Sequence, residues 1–327
     1  MAMRGCTNLR VLAALGMSVV FASAAIGQTY PNKPVRFIST YAAGGPVDLT
    51  GRPVVQGLTD LLGQQFIIEH RPGANGNIGA LAVVKSAPDG YTILITSTSQ
   101  LTINPSLYPD MPFDTAKDLA PITLISMTPT ALIMHPSVKA NSLKELLAFV
   151  KANPGRIRYA SAGNGSINHL SGELFKLMEK VDLVHIPYKG GGPALTAVVA
   201  GEVDMMIISV PTTLPFIKSG RIKVLAVSAP ARVSSLPDVP TMAQAGLPGF
   251  ESSAGIGLLA PAATAKAIIS RLHTSTVKVI NTPETRQLLQ SQGVELVGNS
   301  PEEFNTVIRE ESAKWDKVVR AGNIKLD

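Results

Sequence analysis

Short apolar, β-branched runs alternate with stretches of helical periodicity along most of this chain, and three of the joints between them are glycine-rich. A strand followed by a helix and another strand returns to its sheet by a crossover, which builds a parallel sheet. In such sheets ligands sit at the carboxyl ends of the strands. The fullest joint is 159–175, Tyr-Ala-Ser-Ala-Gly-Asn-Gly-Ser-Ile-Asn-His-Leu-Ser-Gly-Glu-Leu-Phe. A strand is expected over 157–160, a turn at Gly163 and Gly165, and a helix with Leu170, Leu174 and Leu177 on its apolar positions. Ser166 stands where an N-cap belongs. Such a joint leaves backbone N–H groups unpaired beside the positive end of a helix dipole, which favours an anion. The alternative is an ordinary strand-to-helix loop that needs glycine for positive φ.

The first 27 residues read as an address label. Arg4 and Arg10 are followed by an apolar run at 11–21 and by Ala22-Ser23-Ala24-Ala25, the order of a secretory signal peptide. The apolar run is shorter than the roughly 20 residues a membrane span needs, and Cys6 lies ahead of it, so it is not placed for lipid attachment. Periplasmic localisation follows as an expectation. With that segment removed no cysteine remains, so no disulfide is expected. Of 29 basic residues, loss of Arg4 and Arg10 leaves 27 against 23 acidic, and the net charge falls from +6 to +4. That charge is spread along the chain, with no Lys/Arg cluster or aromatic–basic interleaving, which argues against a nucleic-acid partner.

Strands are expected over 35–40, 66–69 and 91–96, with helices between them beginning near Asp48 and Ile78. The hydroxyl-rich Ser97-Thr98-Ser99 reads as a loop and 104–114 as an irregular segment. Apolar runs at 119–127 and 130–135, parted by Thr128-Pro129-Thr130, read as a passage from one lobe to another. The pattern then repeats: a helix over 142–152 with a Ser142/Glu145 capping box, strands over 157–160, 183–186, 203–209 and 223–228, and helices to 178 and over 194–200. The run 255–260 carries the chain back, and helices over 264–280, 282–291 and 300–320 follow. The expected fold class is α/β, with two lobes, each a mainly parallel sheet flanked by helices. Lobe 1 comprises 28–128 and 251–327, lobe 2 comprises 129–250, and the hinge has two crossings. Two such lobes closing on a small solute is the hinge design of periplasmic binding proteins, here in its type II-like form.

Short segments spread over the expected mature chain carry a resemblance. They are Tyr30-Pro31-Asn32-Lys33-Pro34-Val35-Arg36, Gly44-Gly45-Pro46-Val47-Asp48 with Arg52, Arg71-Pro72-Gly73-Ala74-Asn75-Gly76 and Pro88-Asp89-Gly90-Tyr91. Further on come Gly163-Asn164-Gly165-Ser166 with His169-Leu170 and Glu173-Leu174-Phe175, Pro187-Tyr188-Lys189-Gly190, Gly201-Glu202-Val203-Asp204 and Leu236-Pro237-Asp238-Val239-Pro240-Thr241. In these the chain resembles the Bug family, the TctC-like extracytoplasmic solute receptors of tripartite tricarboxylate transport. It departs at Ala42-Ala43, where the family usually has a proline before the glycine pair. The resemblance implies a receptor that captures a small carboxylate, a di- or tricarboxylate or an aromatic acid. It implies delivery of that solute to membrane transporter subunits, or signalling to a membrane sensor kinase. A monomer is expected, with no cofactor and no metal.

The candidate ligand-binding residues are Tyr41, Gly44, Gly45, Ser97 and Thr98 from one side and Ala162, Gly163, Gly165, Ser166, His169, Lys189 and Asp204 from the other. The glycine-rich loops contain no arginine, so backbone N–H groups and hydroxyls must hold the anion by charge-assisted bonds of about 1.5–3 kcal/mol each. His169 is either a ligand contact or a helix residue bonding the neighbouring loop. Lys189 either adds charge to the site or is a solvated lysine, Asp204 either orients a loop donor or caps a turn, and Asp48 reads as a cap. The rival class is a hydrolase using Ser166 and His169. It lacks an orienting acid at a known spacing, and the chain has no Gly-x-Ser-x-Gly elbow, no His-Glu-x-x-His and no phosphate loop.

Overall fold

The computed structural model describes residues 30–291 and 293–326; the expected signal peptide lies outside the described residues. In chain order the first elements are β1 (Val35–Ser39), α1 (Pro46–Leu62), β2 (Phe66–His70), α2 (Asn77–Val84), β3 (Thr92–Ser97), α3 (Thr98–Leu107) and α4 (Thr115–Asp118). Next come β4 (Leu119–Met134), α5 (Leu143–Ala152), β5 (Arg158–Ser161), α6 (Ile167–Glu179), β6 (Val184–Pro187), α7 (Gly191–Ala200), β7 (Met205–Ser209), α8 (Val210–Lys218) and β8 (Lys223–Ser228). The chain returns through β9 (Ser253–Pro261) and continues as α9 (Lys266–Ile280), α10 (Pro283–Ser291), β10 (Glu295–Leu296) and α11 (Pro301–Ala321).

The strand order is β2-β1-β3-β9-β4-β7-β5-β6, with β8 and β10 also pairing β4. β1 is parallel to β2 and β3, and β5 is parallel to β6 and β7, as the crossovers require. The strands between these two blocks are antiparallel, so each half of the sheet is mixed, not mainly parallel. The expected break at Pro129 is not a break. β4 runs through it, pairing with β9 from Leu119 to Pro129 and with β7 and β8 from Thr130 to Met134. Proline cannot donate to a ladder, and it sits where the strand exchanges one set of partners for the other. The expected loop 97–99 is also corrected. Ser97 accepts from the Ser99 N–H at 3.3 Å and so caps α3, which carries Pro105 in its last turn.

Two cores flank the hinge. One gathers Ile38, Leu94, Leu101 and Leu259, and the other Leu132, Tyr159, Leu174 and Phe175. A third cluster covers the opposite face of the second half with Ala131, Ile133, Val198 and Met206. α11 serves both main cores: Phe304 and Ile308 lie in the first, Trp315, Val318 and Val319 in the second. At 1.5 Å per residue its 21 residues span about 31 Å, enough to cross the hinge. Lobe 1 is expected to take in all of 251–327, and the second half of α11 packs in the core that holds Leu132 and Tyr159. A full capping box between Ser300 and Glu303 fixes its start, and Gly257 lets the Phe304 ring reach β9, since a Cβ there would lie 2.3 Å from Phe304 Cζ. Among the described residues no helix is long and apolar enough to cross a membrane.

Trp315, the only tryptophan, is 1% exposed and donates its indole N–H to Glu311 Oε2 at 2.9 Å. Trp315→Ala is expected to cost about 3–5 kcal/mol, read from urea unfolding followed by circular dichroism. A loss no larger than the about 0.5 kcal/mol of ordinary surface substitutions would show that α11 does not join the second core.

Candidate functional site

β5 and β6 are adjacent parallel strands, so the loops that leave them are neighbours. Tyr188 N–H donates to Ser161 O at 3.0 Å, and Tyr188 O lies 3.4 Å from the place a Cβ on Gly163 would occupy. The first loop closes on itself. Ser161 Oγ donates to Gly163 O and accepts from Gly163 N–H, both at 3.1 Å. Ser166 Oγ donates to Gly163 O at 2.7 Å and, as the N-cap of α6, accepts from His169 N–H at 3.3 Å. Gly165 N–H donates to His169 Nδ1 at 3.1 Å. The amides of Gly163 and Gly165 and the hydroxyl of Ser166 are thus already engaged. No acceptor among the described residues meets the N–H groups of Ala162, or of Ile167 and Asn168 in the first turn of α6. Gly191 and Gly192 open α7 in the same way. Neither helix has an acidic residue in its first turn, so both N-termini keep their preference for an outside anion.

A stack of aromatic rings supports this loop from below. The His169 and His185 rings lie 3.8 Å apart and 4° from parallel, and Tyr159 stacks on His185 at 4.9 Å. His185 Nε2 is 2.6 Å from Ser161 Oγ, so each histidine holds one point of the loop. Tyr159 and Lys176 both bond Glu173 Oε1, at 2.6 and 2.8 Å. Burial, and then the neighbouring His169, push His185 down to about 4. Burial also lowers His169, against the pull of Glu173. Because its Nδ1 accepts the Gly165 N–H, the His169 proton sits on Nε2, 4.0 Å from Glu173. Spacing alone did not reveal His185 or Ser161; their signal is that both lie on strands whose pairing sets Tyr159 opposite His185.

The other half of the site is built from β1 and β3, whose ends are tied by a 2.7 Å contact between the Thr40 and Thr96 hydroxyls. Here the helix terminus already has its anion. Asp48, 2% exposed, accepts from Gly44 N–H and from Arg52 Nε, each at 2.8 Å. Burial opposes its ionisation, but those bonds outweigh it and hold the carboxyl below its ordinary value. Its other oxygen, Oδ1, has no hydrogen bond of good geometry and lies 3.2 Å from His70 Nε2. His70 Nδ1 donates to Tyr41 O at 3.0 Å, which anchors the loop. Burial pushes the Tyr41 phenol up to about 12, with Tyr108 adding to the shift. Thr98 Oγ1 accepts from Gly255 N–H at 2.8 Å and so joins α3 to β9.

The expected residues therefore divide. Tyr41, Gly44, Gly45, Ser97 and Thr98 gather at the ends of β1 and β3, and Ala162, Gly163, Gly165 and Ser166 at the end of β5. α3 links the groups, because a Cβ on Gly165 would lie 2.7 Å from Leu107 Cδ1. His169 supports the loop from inside and is buried. Lys189 is exposed. Asp204 lies apart from these loops: it precedes β7 at the opposite end of the strands, where it accepts from Arg158 N–H at 2.8 Å and pairs with the guanidinium at 3.2 Å. Ser166 and His169 are no nucleophile–base pair, since each side chain bonds backbone and not the other. A hollow of about 490 Å³ lies elsewhere, at the hinge, between Met127, Pro129, Arg232, Phe250 and Glu295.

Two mixed half-sheets sharing one strand, with loops converging from the carboxyl ends of both, define a hinged solute-binding protein. Residues 50–324 match the family described as tripartite tricarboxylate transporter family receptor, and the chain belongs to that family. BugT of Bordetella pertussis is 35% identical over 97% of this chain and 98% of its own length. A solved periplasmic transporter is 37% identical, with a TM-score of 0.77, covering 91% of this chain and all of that one (100%). An R. palustris protein solved with adipate is 32% identical, TM-score 0.77, over 90% of this chain and 99% of that one. MatC from Rhodopseudomonas palustris, solved with malate, is 30% identical, TM-score 0.74, over 89% and 100%. The chain is a solute receptor of this family and not an enzyme.

The stacked histidines give the fold a pH dependence. The unfolded chain protonates His185 near about 6.5, the folded one only near about 4. Between those values the unfolded state binds more protons, so this contribution is complete above the upper value and declines as the pH falls. Lowered His169 acts in the same direction. Urea midpoints measured across that window should fall more steeply for the native chain than for His185→Asn; matching slopes would contradict the assignment.

Proposed function

We propose that this chain is a periplasmic receptor that holds a small carboxylate between its two halves and delivers it to the membrane subunits of a tripartite tricarboxylate transporter. The observation that carries the reading is the pair of helix N-termini, α6 and α7, opening side by side with unpaired amides and no resident acid. The matched family is a receptor family, and relatives about one-third identical were solved with adipate and with malate. In this reading lobe 1 is 33–128 together with β9 to the first half of α11, and lobe 2 is 129–250. The carboxylate sits on the amides of Ala162, Ile167 and Asn168, with Gly191 and Gly192 beside them. Tyr41, Gly45 and Ser97 approach from lobe 1, and closure places them over the far end of the solute.

The test is a thermal-shift series on the purified protein with adipate, malate, other di- and tricarboxylates, aromatic acids, uncharged sugars and simple cations. A solute at 100 times its dissociation constant stabilises by about 2.7 kcal/mol, a readable shift. At least one carboxylate is expected to raise the melting temperature, saturably. Shifts confined to sugars or cations would overturn the reading.

A further inference from the structure

We propose that Leu326, on the segment that follows α11, is a positioning residue for the loop 162–166. The inference rests on reading that loop as the carboxylate loop, and it adds a residue far from it in sequence. Gly165 stands at φ +72°, and a Cβ built on it would lie 2.7 Å from Leu107 Cδ1 and 2.8 Å from Leu326 Cδ2. Two leucines from outside the β5–α6 unit therefore press on the bare face of this residue, while its N–H is held by His169. Leu107 comes from α3, whose first turn carries Ser97 and Thr98. Leu326 comes from a turn closed by Ile324 N–H donating to Val319 O at 3.0 Å, with Asn323 at φ +47°. Ile324 is buried in the second core and Leu326 is partly buried against it.

The physical consequence is local. The polar atoms of Ser161, Gly163, Gly165 and Ser166 are spent on one another and on Tyr188, His169 and His185, and Asn164 is engaged as well. The two leucines add the apolar contact that seats Gly165 against α3 and the segment after α11. With the Leu326 side chain gone, Gly165 loses one of its two apolar contacts, and the Gly165–His169 bond opens more often. Leu326 is only partly buried, so the global fold loses little.

Leu326→Ala and the conservative Leu326→Met test this in the purified protein without added solute. Hydrogen exchange of the bonded amides of Gly163, Gly165 and Ser166 is expected to rise by at least about ten-fold in Leu326→Ala, with α5, β7 and the first half of α11 unchanged, and Leu326→Met is expected to restore the native rate. The ¹⁵N shift of His169 Nδ1 should move away from that of a pure acceptor in Leu326→Ala alone. Unchanged loop exchange with an unchanged His169 signal overturns the proposal, and so does faster exchange throughout the second core. Adipate and malate titrations then separate the two readings. Binding to the native chain that weakens in Leu326→Ala supports both, and equal binding by the two proteins overturns the role in solute binding. A localised exchange change with no carboxylate bound by the native chain supports the positioning role and counts against the carboxylate reading.

Discussion

Everything in this molecule hangs on β4, a strand of 16 residues that is common to two ladders. At about 3.3 Å per residue it is roughly 50 Å long, far more than one small sheet can use. Its first part is held by β9, and its last five residues, from Thr130, by β7 and β8. The parallel blocks on either side consequently point their carboxyl ends toward one another, and the loops after β1 and β3 face those after β5 and β6. Pro129, without a donor, occupies the one place where the ladder changes partners. The two halves are nonetheless coupled, because α3 and α11 each place side chains in both cores: Leu101 and Leu107 from one helix, Phe304 and Trp315 from the other. Relative motion of the halves has to be accommodated along these helices as well as at the strands.

The two sides of the gap are electrostatically unlike, although their loops read alike in sequence. The α1 terminus carries its own buried carboxylate, Asp48, bonded to Gly44 and Arg52. The α6 and α7 termini have none. A solute bringing one negative charge thus meets donors on one side and an already neutralised terminus on the other. This is why the proposed carboxylate contact falls on lobe 2, with lobe 1 left to read the remainder of the solute.

Much of the architecture was legible because period and punctuation agree. β1, β2 and β3 stand out as β-branched runs, and the Ser300-Pro301-Glu302-Glu303 start of α11 is a complete local signal that the structure reproduces as a capping box. What was not legible is non-local. The passage of β4 through Pro129 depends on which strands lie beside it, and the sharing of α11 between cores depends on its crossing the hinge. α3 is not legible because Pro105 reads as a breaker, and the structure places it in the helix's last turn. At the site, the glycines of 163–165 were correctly picked out as a turn, but their amides were read as free. Whether a donor is free depends on where His169 and Ser161 point, and periodicity says nothing of that. The place of Asp204 is non-local in the same way, since its partner Arg158 lies 46 residues away.

The proposed site holds its anion by amides and not by a fixed cation. A buried guanidinium would attract a carboxylate strongly, but between solutes it would stand as an uncompensated charge in a narrowing gap. Backbone donors carry no net charge, so in the proposed site a closing gap would meet no such penalty, and a bound solute would leave without breaking an ion pair. The cost is moved into geometry: amides attract usefully only when several point at one place. That explains why so much of the surrounding chemistry is spent on the loop itself. Ser161, Ser166, His169 and His185 use their polar atoms on it, and Leu107 and Leu326 press on its one bare residue. The neutrality of the two histidines belongs to the same arrangement. A proton on His169 Nδ1 would face the Gly165 N–H and take away the acceptor that keeps this turn closed, so the burial that lowers their affinity for protons also preserves the shape on which binding depends.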